Sequence, residues 1–419
     1  MPFDECSCIP GRIPLSSTVY FPGVQQREHT ITVPIDRANP AAGVITVFAR
    51  ELFTDASLPY LIYFQGGPGK PGPRTVMGWI PEALKRYRIL LIDERGTGLS
   101  TKVDKTTPER INAHFLSHLR PPDVAADAEA LRIHLGIEQW DVLGNSFGAA
   151  CAGAYLAYYP HGVRRAHLAG CVPEPEMDVD AFHRAEFRML RERQLKLFDA
   201  VPWMQQRVEE VAKHVDTHEE FMPTGERLSS IRMRTSGVLI GEEGDFAALA
   251  NLFESPFTSY KGQMRLRGDF LAQLGSIISL ETMPLWAVIH ESVMARPGHA
   301  INWSGERIYR EEFADLTFLG NQFFTTHFKE DPALRPFYQA VDEVHRMDDL
   351  AAQSVDVANN TVPVAAILYP QDVYLPFELS IKSAEKVGNL KLWIHDDWLH
   401  DGIWAHGADV AKGLFTMLD

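Results

Sequence analysis

One ten-residue stretch limits what the chain can fold into more than any other. Residues 141–150 read Asp-Val-Leu-Gly-Asn-Ser-Phe-Gly-Ala-Ala, which is a short apolar run, then Gly-x-Ser-x-Gly, then the start of an Ala-rich helical pattern. The pattern predicts a nucleophile elbow, a strand that turns sharply into a helix with Ser146 in the strained turn. Gly144 and Gly148 stand where larger side chains would not fit. Ser146 would then lie at a helix N-terminus, where free N–H groups favour developing negative charge.

Strand and helix patterns alternate on both sides of this turn. An antiparallel pair of strands is predicted at 30–34 and 43–49. Buried strands are predicted at 60–64, 88–93, 166–168, 362–368 and 390–394, and helices at 124–134 and 408–418. This alternation predicts an α/β fold in which a mostly parallel sheet is flanked by helices.

Residues 171–355 have a different pattern. Helical periodicity dominates at 182–213, 246–253, 270–280 and 334–348, and no clear strand interrupts these segments. A helical block inserted between sheet strands predicts a cap over the sheet. We therefore expect the first part of the core at 1–170, a helical cap at 171–355 and the second part of the core at 356–419.

Composition and charge argue against several functional classes. The formal net charge is −15 with no basic stripe, which disfavours nucleic-acid binding. No apolar run could span a bilayer, and residues 1–6 lack the basic and apolar parts of a signal peptide, so we expect a cytoplasmic protein without a membrane partner. The sequence is compatible with a homo-oligomer. The four cysteines, Cys6, Cys8, Cys151 and Cys171, do not make a disulfide framework.

A serine nucleophile needs a base within hydrogen-bond reach and a carboxylate that orients the base. In this type of sheet the expected chain order is serine, acid, histidine. Asp372 and His400 each follow a predicted strand, where open α/β sheets place their sites. Their spacing from the strands makes them the favoured acid and base. The rival bases are His395 and His406, and the rival acids are Asp396, Asp397 and Asp401.

The tetrahedral intermediate of such a reaction also needs backbone N–H donors. One donor should be the N–H of Phe147, directly after the nucleophile. The other is expected in Gln65-Gly66-Gly67-Pro68, which ends an early strand, and we assign it to Gly67. Glycine lets the backbone approach a substrate closely, so Gly66 is predicted to line the substrate site.

Four segments together resemble the proline iminopeptidases (prolyl aminopeptidases), serine peptidases of the α/β-hydrolase superfamily, in the larger of their two size classes. They are Gln65-Gly66-Gly67-Pro68-Gly69, Asp93-Glu94-Arg95-Gly96-Thr97-Gly98-Leu99-Ser100, Gly144-Asn145-Ser146-Phe147-Gly148 and His400-Asp401-Gly402. The resemblance runs from about Ile31 to the C-terminus. It implies an α/β-hydrolase core with a helical cap, no metal and no cofactor. It also implies release of an N-terminal proline through an acyl-enzyme, with Ser146, Asp372 and His400 at the triad positions.

The same resemblance assigns further residues. An exopeptidase must bind the free ammonium of its substrate, and His290-Glu291-Ser292 resembles the cap segment that carries such a glutamate, so Glu291 is assigned this role. Asp93 and Arg95 match the family's Asp-x-Arg-Gly motif and are expected to form a buried ion pair that holds a loop.

The chain also departs from the family pattern, and each departure falls in the cap or the pocket. An aromatic residue usual in the cap is missing near Met294, and Gly320-Asn321 stands in place of a Gly-Glu pair. The segment Ala169-Gly170-Cys171-Val172-Pro173 replaces Gly-Gly-Leu-Pro-Pro.

Three functions follow in order of preference. The first is a serine aminopeptidase that releases an N-terminal residue, preferably proline, from short peptides. The alternative keeps the triad but acts on an ester, a lactone or a non-peptide amide. The third is a catalytically silent binding protein on the same fold.

Overall fold

A computed structural model describes residues 21–173, 178–350 and 356–419. Cys6 and Cys8 lie outside the described residues. Two short parts of the predicted cap, 174–177 and 351–355, lie outside them as well, so the expected cap boundaries stay predictions.

The strands are β1 (Gln25–Pro34), β2 (Val44–Phe53), β3 (Tyr60–Phe64), β4 (Arg88–Asp93), β5 (Trp140–Asn145), β6 (Val163–Ala169), β7 (Phe257–Tyr260), β8 (Gln263–Leu266), β9 (Val364–Leu368) and β10 (Leu390–Ile394). Eight of them form one sheet in the order β1-β2-β4-β3-β5-β6-β9-β10. The β1–β2 and β2–β4 pairs are antiparallel, and all other pairs in this sheet are parallel. The predicted mostly parallel α/β sheet is therefore confirmed.

The helices before the inserted region are α1 (Ile80–Ala83), α2 (Ala113–Ser117), α3 (Pro121–His134) and α4 (Phe147–Tyr158). Those of the inserted region are α5 (Val179–Ala200), α6 (Met204–Thr217), α7 (Ser230–Arg234), α8 (Asp245–Phe253), α9 (Gly268–Ile278), α10 (Pro284–Val288), α11 (Ser304–Ile308), α12 (Thr325–Glu330) and α13 (Tyr338–Arg346). The chain then forms α14 (Phe377–Ala384), α15 (Gly402–Ala405) and α16 (Gly407–Thr416).

Helices cover both faces of the central strands, which explains why these strands are apolar throughout. On one face Ile62 and Val142 pack in a cluster that includes residues of α3 and α4. On the other face Leu61 and Leu143 pack in a second cluster, together with Phe415 of α16. Strands buried on both faces are typical of parallel sheets.

The inserted helices α5–α13 lie between β6 and β9 in the chain. Helices α5–α9 and α11 contribute to an apolar cluster of their own, which includes Phe187, Val208 and Phe253, whereas α10, α12 and α13 pack in the core cluster. We call this region the cap. The prediction of a cap without strands is wrong at one place, because β7 and β8 pair there as an antiparallel hairpin. Each strand has only four residues, and Lys261 and Gly262 make the turn with positive φ angles, a pattern too short for periodicity to reveal.

Candidate active site

The elbow has the strained geometry that its sequence predicts. Ser146 joins β5 to α4 with φ 53° and ψ −121°, a region that non-glycine residues rarely adopt. A Cβ on Gly144 would lie 2.3 Å from the carbonyl oxygen of Gly148, and one on Gly148 would lie 2.0 Å from that of Phe64. Both positions therefore require glycine. The Ser146 N–H donates to the carbonyl of Ala169 on β6 at 2.9 Å, which ties the turn to the sheet.

The structure brings Ser146, Asp372 and His400 together. Asp372 lies after β9 and His400 lies after β10, at the same edge of the sheet as the elbow. His400 Nε2 is 2.9 Å from Ser146 Oγ, and His400 Nδ1 is 2.6 Å from Asp372 Oδ2. The other Asp372 oxygen accepts the backbone N–H groups of Tyr374 and Leu375 at 2.8 and 3.0 Å. These contacts fix the carboxylate so that it orients the imidazole.

The surroundings of His400 favour its protonated form. Burial lowers the pKa of His400, but the charge of Asp372 and its hydrogen bond oppose this, and the net result is a pKa above the ordinary histidine value. Glu242 and Asp401 add to the increase. A group of this kind can accept a proton from Ser146 and then be stabilised as an imidazolium.

The rival bases make other contacts. His395 stacks on Trp398 with ring centroids 3.6 Å apart, and Trp398 stacks in turn on His406 at 4.4 Å. His406 Nε2 lies 2.6 Å from a carboxylate oxygen of Glu243 in the cap. Among the rival acids, Asp401 accepts the backbone N–H of Glu243 at 3.2 Å. This arrangement joins the cap to the core beside the triad.

A cavity of about 560 Å³ contains Ser146 and His400 in its lining. The core contributes Gly66, Gly67 and Phe147, and the cap contributes His290, Met294 and Asn321. A Cβ on Gly66 would lie 3.1 Å from Ser146 Cβ and 2.8 Å from Asn145 Nδ2, so a side chain there would crowd the nucleophile.

The predicted oxyanion donors border the same space as the nucleophile. Gly67 has φ +68° in the loop after β3. The N–H of Phe147 is the first of α4, and the first four N–H groups of a helix have no acceptor within the helix. Gly67 and Phe147 both line the cavity, and their role as oxyanion donors stays a prediction.

The cavity also contains charged side chains that sequence reasoning missed. Glu242 lies at the end of the cap turn Thr235–Gly241, is exposed, and lines the cavity. Partial desolvation and then the charge of Asp401 raise its pKa, while Lys70 and His400 lower it. Lys70, His400 and Asp401 line the same cavity. No motif marks Glu242, because only the packing of the cap brings it to the triad.

Glu291 is buried in the cap and contacts the start of α11. Its side chain is 5% exposed, and it is not among the residues that line the cavity, although its neighbour His290 is. Its two carboxylate oxygens accept the backbone N–H groups of Ser304 and Gly305 at 3.0 and 3.2 Å. These groups begin α11 and need acceptors outside the helix. The carboxylate therefore binds a helix end, and its expected role at the substrate ammonium stays a prediction.

The expected ion pair between Asp93 and Arg95 is also absent. Asp93 pairs with Arg74 and accepts two backbone N–H groups of neighbouring loops. Arg95 pairs with Asp127 of α3 through two hydrogen bonds of 2.7 and 2.8 Å. Asp93 and Arg95 thus hold different elements, although both are buried and structural as predicted.

Outside the cavity, one cluster among the described residues has donor atoms close enough to share a metal ion. Asp36, His114 and His118 have ligand atoms within 4.8 Å of one another, and His114 is exposed. None of the three lines the cavity.

In the part of the chain that the structure describes, no helix is both long and apolar enough to cross a membrane.

Comparison with known proteins identifies the family. A profile of the alpha/beta hydrolase fold matches residues 59–206. The chain is 31% identical over 417 residues to the proline iminopeptidase of Aeromonas sobria, which covers 94% of this chain and 97% of that protein. The chain belongs to the proline iminopeptidase family.

Two further relatives in this family are more distant or match a shorter segment. The proline iminopeptidase of Aspergillus aculeatus is 24% identical over 426 residues, which covers 93% of each chain. That of Arabidopsis thaliana is 33% identical over 124 residues, which covers 29% of each chain. The predicted family and α/β-hydrolase fold are thus confirmed, and the protein is a serine hydrolase of the aminopeptidase type found in the proline iminopeptidase family.

Proposed function

We propose that the protein releases N-terminal proline from short peptides through an acyl-enzyme formed on Ser146. The observation that carries this proposal is the continuous hydrogen-bonded series from Ser146 through His400 to Asp372, at the edge of a cavity between core and cap. The proline iminopeptidase relatives support the choice of substrate.

The first half of the reaction forms the acyl-enzyme. Ser146 Oγ attacks the carbonyl carbon of the N-terminal residue while His400 Nε2 takes the hydroxyl proton. The N–H groups of Phe147 and Gly67 donate to the oxyanion of the tetrahedral intermediate. His400 then gives its proton to the leaving nitrogen, and the peptide that lacks its first residue departs.

The second half releases the proline. A water molecule loses a proton to His400 and attacks the ester carbonyl, and the same donors stabilise the second oxyanion. The C–O bond to Ser146 breaks as His400 returns the proton to Oγ. Asp372 keeps the imidazole oriented through both halves and is not itself protonated.

Recognition of the free N-terminus requires a carboxylate in the cavity, because burying an unpaired ammonium is unfavourable. Glu291 is already bound to the start of α11, so we assign this role to Glu242. Glu242 lines the same cavity as Ser146 and His400, which supports this assignment. Among the described residues it has no ion-pair partner within 4.0 Å.

A substrate panel tests the proposal. We expect the purified protein to hydrolyse proline arylamide faster than other aminoacyl arylamides, and to leave N-acetylproline arylamide intact. The S146A variant should lose turnover by roughly 10⁴-fold or more while its circular dichroism stays unchanged. Hydrolysis of simple esters or lactones without arylamide turnover would favour the alternative substrate class. If fluorophosphonates fail to label Ser146, the protein is a binding protein instead.

A further inference from the structure

Lys70 places a positive charge against the loop that faces the nucleophile. It follows Gly67 by three residues, and its side chain folds back over the turn. A Cβ built on Gly67 would lie 3.0 Å from Lys70 Nζ. Lys70 lines the same cavity as Ser146. Its ammonium group therefore lies within a few ångströms of the expected position of the scissile carbonyl.

The ammonium group of Lys70 makes no close ion pair within the part of the chain that the structure describes. Among the described residues no carboxylate lies within 4.0 Å of Lys70 Nζ. Lys70 Nζ instead lies over the ring of Trp286, 4.3 Å from the ring centroid. Burial lowers the pKa of Lys70 and the charge of Glu242 raises it. A cation–π contact offsets part of the desolvation cost, but a bound anion would offset much more.

The position of the cation limits which anion it can bind. The substrate of the proposed function carries its own positive charge on the N-terminal side of the scissile bond, and Lys70 would repel that charge. The anion must therefore belong to the leaving group. In a dipeptide the carboxylate is attached to the residue that leaves, whereas each further residue moves it about 3.3–3.6 Å away.

We propose that Lys70 binds the free C-terminal carboxylate of the substrate, so that the enzyme prefers dipeptides with N-terminal proline. This inference rests on the proposed function and adds a specificity for the leaving group. Glu242 and Lys70 would then bind the opposite charges of one zwitterionic substrate, on either side of the bond that Ser146 attacks.

The test compares substrates that differ only in the leaving-group charge. We would measure kcat/KM for Pro-Gly, for Pro-Gly amide and for proline arylamide, which has no carboxylate. The wild type should prefer Pro-Gly over its amide by about tenfold to a hundredfold, the range expected for a hydrogen bond to a charged group. K70M should abolish this preference and change arylamide turnover by less than about twofold, whereas K70R should keep part of the preference.

The matched control is K213M, which removes an exposed lysine of α6 in the cap. It should leave all three rates unchanged. Equal wild-type rates on Pro-Gly and its amide, with active arylamide turnover, would overturn this inference and leave the proposed function intact. An equal loss on all three substrates in K70M would also overturn it, because Lys70 would then act on the oxyanion. Absence of turnover on every proline substrate would overturn both proposals.

Discussion

The backbone N–H of Glu243 donates to the carboxylate of Asp401 at 3.2 Å, and this contact joins the cap to the residue directly after His400. A second contact lies on the other side of the triad, where the Tyr374 hydroxyl donates to the carbonyl of Val238. Tyr374 follows Asp372 by two residues. The cap segment 238–243 therefore contacts the loops of both the triad acid and the triad base.

Removal of the Tyr374 hydroxyl should weaken this connection. In Y374F the cap segment loses one hydrogen bond, while the ring still packs against His400 at 5.0 Å. We expect kcat for proline arylamide to fall by roughly fivefold to tenfold, corresponding to about 1 kcal/mol, with KM changed less. Steady-state kinetics measure kcat and KM separately and so check this expectation. An unchanged kcat would show that the contact does not help to position Asp372 or His400.

The pH profile should report the interaction between His400 and Asp372. Because the pKa of His400 is raised, activity should be lost as the pH falls through a value above the ordinary histidine pKa, where the imidazole becomes charged and cannot accept a proton. D372N removes the charge that raises this pKa, so the acidic limb should move to lower pH. Its kcat should fall by roughly 10⁴-fold, as expected when a triad acid is replaced by its amide. If the acidic limb of the pH profile does not move in D372N, a group other than His400 causes it.

Substitution of Glu242 and of Glu291 should affect different properties, KM in the first case and stability in the second. E242Q should raise KM for free-amine substrates by about tenfold, because a charged partner of the ammonium is lost. E291Q should leave KM unchanged but reduce the free energy of unfolding by about 1–2 kcal/mol, because the acceptor at the start of α11 is weakened. Kinetics and urea denaturation of both variants check this. A raised KM in E291Q alone would restore the role implied by the family resemblance.

The buried pair of Arg95 and Asp127 should contribute strongly to stability. In R95M the Asp127 carboxylate stays buried, and among the described residues its one remaining ion-pair partner is the partly exposed Arg37, so we expect a loss of about 3–5 kcal/mol in the free energy of unfolding. The matched control is R191M, which breaks an exposed pair with Asp315 and should cost about 1 kcal/mol or less. Similar urea midpoints for the two variants would contradict this difference.

Local sequence patterns predicted the strands of the sheet. They do not predict the position of a side chain that only tertiary packing determines. The bounds of β3, β4 and β10 agree with the sequence prediction, because each is a short apolar run between turn residues. The spacing of Asp372 and His400 from their strands predicted that they would meet at one sheet edge, and they do. In contrast, Glu242 and Glu291 are both acidic residues of the cap. Only the tertiary contacts decide which one binds a helix end and which one faces the cavity.

The pairing of β6 with β9 has a consequence for folding. Ala166 and Val364 are neighbours in the sheet, although the whole cap lies between them in the chain. Closing so long a loop costs conformational entropy before any contact is gained, and the cost falls if the loop has already become compact. The apolar cluster of the cap allows it to become compact first. On refolding from urea, hydrolytic activity should therefore return later than the burial of the cap's aromatic side chains.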